Sequence, residues 1–157
     1  MIYAATGHRP HLLGGYGHNV REKLLEVSSF ALRSYNPSFI ISGMALGWDT
    51  AIALSALKLK IPLICAIPFE GQSARWSQSD REVYNHIRNH AHEVVVVSDV
   101  YNRRVFFDRD EYVVNRADKI LALYDFDTNP GGGTAHTIEY AKSMGKPVFN
   151  FWELWRE

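Results

Sequence analysis

Six short apolar runs, at residues 2–6, 38–42, 62–67, 93–97, 119–124 and 147–151, recur along the chain with longer amphipathic stretches between them. Most are continuous runs of Val, Ile, Leu and Phe, not in/out alternations. A strand covered by helices on both faces has this pattern, because neither face meets water. Strand-length runs alternating with helix-length stretches are the mark of βαβ units. The chain is therefore expected to be an α/β protein, a three-layer sandwich with a largely parallel sheet of about six strands and helices on both faces.

Five helices are expected between the runs. Residues 19–35 place Val20, Leu24, Val27 and Ala31 at helical spacing, and Asn36-Pro37 stops them. Residues 49–59 are apolar almost all round and predict the most buried helix. Residues 77–92 carry Val83 and Ile87 on one face with charges opposite. Residues 108–116 and 134–144 complete the set, the last ending at Gly145-Lys146-Pro147 as a glycine stop before a strand does.

At 157 residues and 46% hydrophobic content the chain can bury a core without metal or disulfide staples, and one domain over 1–157 is expected. Seventeen basic and seventeen acidic residues cancel, with neither sign gathered in one half, so there is no electrostatic footprint for duplex nucleic acid or an anionic membrane. A small-molecule partner is expected, with neither membrane nor nucleic acid as partner. The one cysteine, Cys65, lies in an apolar run and reads as a buried hydrophobe. Met1 to Gly7 lacks the basic and apolar regions of a secretory leader, and no apolar run approaches about 18 residues, so a cytoplasmic location is expected.

In an open α/β sheet, ligands sit beyond the carboxyl ends of the strands. Three such ends bear glycine loops here: Thr6-Gly7-His8-Arg9-Pro10 followed by Leu13-Gly14-Gly15-Tyr16-Gly17, then Ser42-Gly43-Met44-Ala45-Leu46-Gly47-Trp48-Asp49, then Asn129-Pro130-Gly131-Gly132-Gly133-Thr134. Without a Cβ, such loops approach a phosphate closely and aim N–H groups at it, helped by the positive end of the following helix. Thr134 either caps its helix or donates its hydroxyl to a phosphate oxygen. None of the loops matches the P-loop or the usual dinucleotide fingerprint.

Thr6, Gly7, His8, Arg9, Gly15, Ser42, Gly43, Met44, Gly47, Asp49, Gly131, Gly132, Gly133 and Thr134 are thus candidate ligand contacts. Arg9 is the leading charged one, since a guanidinium after a strand-end glycine grips a phosphate or carboxylate bidentately. Asp49 either accepts ribose hydroxyls or favours the positive end of its helix. Gln72 and Trp76, in Pro68-Phe69-Glu70-Gly71-Gln72-Ser73-Ala74-Arg75-Trp76, suit edge recognition and stacking of a base. His86, His90 and His92 lack a further ligand at a recognised spacing, so no metal is expected. No cofactor is expected besides a nucleotide or nucleotide-derived ligand.

These motifs resemble the SLOG superfamily, the Rossmann-like group that includes the DprA/Smf proteins and the LOG cytokinin-activating enzymes, and in particular its YpsA-like branch. Thr6 to Tyr16 is similar to the branch's opening signature, Ser42 to Asp49 to its second motif, and Pro68 to Trp76 with Tyr84 to its third. The resemblance implies a Rossmann-like fold, a nucleotide-type ligand and a homo-oligomer. Pro130 to Ala141 also resembles the PGGxGTxxE box of LOG-type phosphoribohydrolases and the GTAxE segment of nucleoside deoxyribosyltransferases. In both, a catalytic Glu stands three positions after the Thr. Here that position is Thr137, and Glu139 lies about 200° further round the helix.

Two functions follow as expectations. The first is a domain that binds or senses a nucleotide-type ligand. The second is an N-glycosidase, with Glu139 or Glu70 as the first candidates for the catalytic carboxylate and Asp49 and Asp80 also available.

Overall fold

The apolar run at the start of the chain forms β1, Ile2–Gly7, whose side chains alternate between two buried layers. Tyr3 and Ala5 join one core cluster and Ala4 the other. The computed structural model describes residues 1–127 and 131–157, so Asn129 and Pro130 of the last glycine loop lie outside the described residues.

The other strands are β2 Phe39–Ser42, β3 Leu63–Ile67, β4 Glu93–Val96, β5 Lys119–Leu123 and β6 Val148–Asn150. Among the described residues they form one six-stranded sheet in the order β4-β3-β2-β1-β5-β6, and each neighbouring pair is parallel. The Rossmann-like expectation holds, and the sheet is parallel throughout. Its register sets Ala4 beside Ile41 on β2 and Ile120 on β5.

Helices α1 (His18–Tyr35), α2 (Trp48–Leu59) and α3 (Gln78–His90) contribute to the core that contains Tyr3, Ile40, Leu63, Cys65 and Leu121. Helices α4 (Val105–Arg116) and α5 (Gly133–Ser143) cover Ala4, Ile41, Ile64 and Ile120 on the other face. Each strand is therefore apolar on both sides, as its sequence requires. The expected burial of α2 is observed: Trp48, Asp49, Ala51, Ile52, Ala53, Ser55 and Ala56 are all buried. Cys65 is fully buried, and burial pushes its thiol up to about 12.

Boundaries differ from expectation where capping chemistry decides them. Helix α3 stops at His90, because Ala91 is extended and the His92 N–H donates to the Leu63 carbonyl at 2.9 Å, leading into β4. Helix α4 starts at Val105, three residues before the expected 108. A short helix, α6 (Trp152–Trp155), follows β6 and was not expected. It buries Trp155, while Phe149 stacks on Tyr35 with ring centroids 4.5 Å apart, so the aromatic tail is core packing.

The order of strands reverses after β4: the chain builds outward from β1 to β4 and then returns to the other side of β1 to lay down β5 and β6. The reversal places the ends of β1 and β5 side by side, with Gly7 opposite Leu123. Loops leaving a reversal point diverge to opposite faces and open a crevice between them.

Candidate ligand-binding site

At that reversal point lies an open cleft of about 520 Å³. Three segments expected to contact a ligand line it: Thr6 to Arg9 after β1, Gly43 after β2, and Gly131 to Thr134 at the start of α5. Thr134 joins two of them, its hydroxyl donating to the Gly7 carbonyl at 3.1 Å, so the start of α5 is pinned to the end of β1. Gly132 has φ +94°, and a Cβ on Gly131 or Gly132 would meet nothing within 4 Å, so this loop faces open space.

Arg9 is exposed at the mouth of the cleft, and none of the ion pairs among the described residues engages it. His8 is committed to the fold. Its Nε2 accepts from the Asp125 N–H at 2.9 Å, and its ring packs on Tyr124 with centroids 4.9 Å apart. Burial holds the imidazole below its ordinary range, as an acceptor role for Nε2 requires.

The wall opposite β1 comes from α4: sequence reasoning pointed to Arg103, Tyr112 and Asn115 in this stretch, of which Arg103 lines the cleft, but did not single out Arg109 and Asp110. Arg109 is 5% exposed and sits on an apolar helical stripe between Val105 and Val113, one turn from each. Its Nε donates to Asp110 Oδ1 at 2.7 Å and its Nη1 to the Gly43 carbonyl. A Cβ on Gly43 would lie 2.8 Å from this guanidinium, so glycine is needed there for the approach of Arg109. Asp110 is buried beside the first turn of α5, and burial raises its carboxyl above the ordinary range against the opposing pull of Arg109. The sequence signal was a charged pair interrupting an apolar stripe. Phe106, the partly exposed Phe107, Arg103, His11 and Leu12 complete the rim.

Asp49 lies on the cleft floor at 7% exposure. One carboxylate oxygen accepts a long hydrogen bond, 3.4 Å, from the Ala45 N–H, and the other, Oδ1, is buried with no hydrogen-bond partner. Burial pushes the carboxyl up to about 6, partly offset by the positive charge of Arg109. Asp49 and Asp110 are the two carboxylates lining the cleft among the described residues.

Several expected contacts lie elsewhere. Ser42 is turned inward, donating to the Asp49 carbonyl at 2.8 Å and accepting from the Met44 N–H at 3.1 Å, while Met44 is buried in the core. Gly47 brings α2 against the first loop: at φ +93° its Cβ would fall 2.4 Å from the His8 carbonyl oxygen. That carbonyl takes the Trp48 N–H at 3.2 Å, so the start of α2 is spent on the fold. Gly15 and Gly47 instead line a smaller apolar pocket of about 200 Å³ beside Tyr16 and Leu54. Gln72 braces the cleft from behind, its Nε2 donating to the Gly43 carbonyl at 3.0 Å and its Oε1 accepting from Tyr84 at 3.2 Å. Trp76 packs edge-on against Tyr84, and neither it nor Gln72 lines the cleft.

Neither first candidate for the catalytic carboxylate reaches the cleft. Glu70 is 63% exposed and paired with Arg88 at 2.7 Å, whose hydrogen bond holds it below the usual carboxylate range. Glu139 is exposed on α5, because the two-residue offset from Thr137 turns it away. Thr137 itself is buried, with its hydroxyl on the Gly133 carbonyl at 2.9 Å. The His86 and His90 rings lie 4.4 Å apart, tilted by 38°, and His92 belongs to the approach to β4. Among the described residues no helix is long and apolar enough to cross a membrane.

A parallel sheet with its cleft where the strand order reverses defines a Rossmann-like α/β domain. The chain belongs to the YpsA family, described as the YspA SLOG family, whose model matches residues 3–150. The SPbeta prophage-derived protein YoqJ of Bacillus subtilis is 29% identical over 154 residues, covering 87% of this chain and 86% of its own length. UPF0398 protein BH1768 of Halalkalibacterium halodurans is 30% identical over 158 residues, covering 90% and 80%.

Solved structures with the same fold include DNA processing protein A of Streptococcus pneumoniae, with TM-score 0.65, 19% identity, and 94% of this chain matched to 49% of that one. The corresponding protein of Helicobacter pylori, described for its single-stranded DNA binding mode, gives 0.68, 18%, 96% and 64%. The chain thus spans about half to two thirds of these two relatives. The molybdenum cofactor carrier protein of Chlamydomonas reinhardtii gives 0.60, 15%, 95% and 74%.

Proposed function

We propose that this protein binds a nucleotide or nucleotide-derived anion in the cleft at the β1/β5 reversal, and that it senses or carries this ligand without cleaving it. The observation that carries the reading is the convergence of Arg9, the Gly43 turn and the Gly131 to Thr134 loop on one cleft of about 520 Å³, a volume typical of small-molecule sites. Arg9 supplies a mobile positive charge at the mouth. The start of α5, an 11-residue helix, supplies N–H groups and the positive end of its dipole. Arg109 and Asp110 neutralise each other, so the pair shapes the wall without repelling an anion. A carrier of a cofactor among the structural relatives agrees with a fold that holds a small molecule.

A glycosidic-bond hydrolase is the second reading, and one observation favours it: two carboxylates, Asp49 and Asp110, line the cleft. It would place the chemistry on residues other than Glu139 and Glu70. Single-stranded DNA, which the Helicobacter pylori relative binds, suits this chain less well, because its charge sums to zero and such grooves need Lys and Arg tracking a backbone.

The deciding experiment incubates the protein with ribo- and deoxyribonucleotides, ADP-ribose and NAD, followed by mass spectrometry of the supernatant and of the denatured protein. Retention of an unaltered nucleotide supports binding. Release of free base replaces that reading with hydrolysis, and retention of none of the panel overturns both. Light scattering on the same samples reports whether the expected homo-oligomer forms.

A further inference from the structure

The polarity of the cleft restricts which nucleotides it accepts. Its mouth is cationic, with Arg9 and Arg103, whereas its floor offers an acceptor with nothing to accept. Arg109 does not fill that need, since its Nε is engaged by Asp110 and its Nη1 by the Gly43 carbonyl. Asp49 Oδ1 therefore remains a buried oxygen without a partner, on a side chain that lines the cleft floor, and a turn of the carboxylate about its last bond presents it to a ligand. Unpaired buried acceptors are rare and costly, and an ionised carboxylate has about four lone-pair positions to satisfy. A ligand group that carries hydrogen-bond donors relieves this cost, and an acceptor-only group such as an ionised phosphate adds to it.

Arg9 lies close enough to Asp49 for its charge to act on the carboxyl. The Arg9 backbone also packs against Gly47, two residues before Asp49, so a phosphate gripped by Arg9 lies near the floor, and the donors next to a phosphate in a 5′-nucleotide are the sugar hydroxyls. The base lies further along, toward Phe106 and the partly exposed Phe107 at the rim. Resting on the nucleotide reading above, we infer that Asp49 reads the ribose: its free oxygen accepts hydrogen bonds from the 2′,3′-hydroxyls, and the site selects ribonucleotides over their deoxy counterparts. Asp110 does not share this role, because its charge is met by the ion pair with Arg109 at 2.7 Å and neither of its oxygens is buried without a partner.

The test measures calorimetric affinity for the four ribonucleoside 5′-monophosphates and their 2′,3′-dideoxy counterparts, on the unmodified protein and on Asp49→Asn. A hydroxyl bonded to a buried carboxylate is expected to make the best ribonucleotide bind about tenfold tighter or more than its dideoxy form. Asp49→Asn, with an unchanged circular dichroism spectrum, is expected to bring that ratio to within about twofold, a readout that cancels any change common to both series. Equal affinity for both series in the unmodified protein overturns the inference and leaves the nucleotide reading standing. A ratio that survives in Asp49→Asn also overturns it, because another group then reads the hydroxyls. Absence of binding by either series at millimolar concentration overturns the inference for nucleoside monophosphates, and the panel with ADP-ribose and NAD then decides the nucleotide reading separately. The comparison in the unmodified protein decides the selectivity even where the variant does not fold.

Discussion

Asp49→Asn is expected to change how stability depends on pH in the ligand-free protein, and its magnitude follows from the burial of this side chain. The carboxyl moves from an ordinary 3.8 in the unfolded chain to about 6 in the folded one. At about 1.4 kcal/mol for each tenfold change in proton affinity, this costs the ionised folded form roughly 3 kcal/mol. A raised carboxyl favours the folded state when protonated. Its contribution is fully present below the unfolded value and is lost as pH rises through about 6. The amide variant lacks this titration. Measured from pH 4.5 to pH 8, its stability relative to the parent should therefore rise by roughly 2 kcal/mol, or about 4–8 °C in melting temperature for a chain of this size. Arg109 and Asp110 from α4 and Arg9 from the first loop face the same carboxyl in both proteins, and because Asp49 and Asp110 are coupled, part of the difference comes through Asp110. Loss of a hydrogen bond by the new amide shifts the difference equally at both pH values. Urea unfolding at the two pH values is the assay. A difference that stays constant, or that falls as pH rises, refutes the reasoning and shows that Asp49 is not desolvated as its position demands.

Other positions separate binding from architecture. Arg9→Ala should weaken an anionic nucleotide by roughly 1.5–3 kcal/mol by calorimetry with stability unchanged, and undiminished affinity would remove Arg9 from the site. Gly47→Ala should destabilise by about 2 kcal/mol or more in urea, since φ +93° and a Cβ 2.4 Å from the His8 carbonyl oxygen both oppose it. A neutral effect would mean that α2 does not press on the first loop. Glu70→Gln and Glu139→Gln should leave ligand retention unchanged, and the exposed Glu70–Arg88 pair should be worth less than about 1 kcal/mol once solvent screening is counted. Base release that disappears in either variant would return that carboxylate to the chemistry.

The sheet was legible because burial on both faces leaves little freedom in composition. All six apolar runs became strands, and the end of α3 was misjudged because a remote partner, the Leu63 carbonyl, takes the His92 N–H. Helix α6 was hidden because four residues carry too little periodicity to separate from an apolar strand end. Half of the cleft was legible for a related reason. Strand-end glycines mark places where backbones approach something, but they do not say what. At Gly131 and Gly132 the space is open, at Gly43 it is filled by Arg109, and at Gly47 by the backbone of the first loop. Glycines of two similar loops thus perform three tasks, and the distinction rests on neighbours remote in sequence, Arg109 for Gly43 and His8 for Gly47.

The α4 wall was illegible for the opposite reason. Helix-wheel logic treats a charged residue as a sign of solvent, so Arg109 and Asp110 read as the outer face of a helix whose stripe is Val105, Val113 and Val114. Buried charge is expensive unless paired, and here the pairing is incomplete: Arg109 is satisfied by Asp110 and Gly43, while Asp49 nearby keeps one oxygen without a partner. Replacing Asp49 with an apolar residue of similar size removes the desolvation cost but strands the Ala45 N–H, and that bond uses one carboxylate oxygen only, so folding alone does not explain the unpartnered one. A donor-bearing ligand does, because it supplies from outside the hydrogen bond that the chain leaves unmade. The same residue that weakens the free protein is then the one that gives the occupied cleft its selectivity, and stability and discrimination should move in opposite directions across substitutions at this one site.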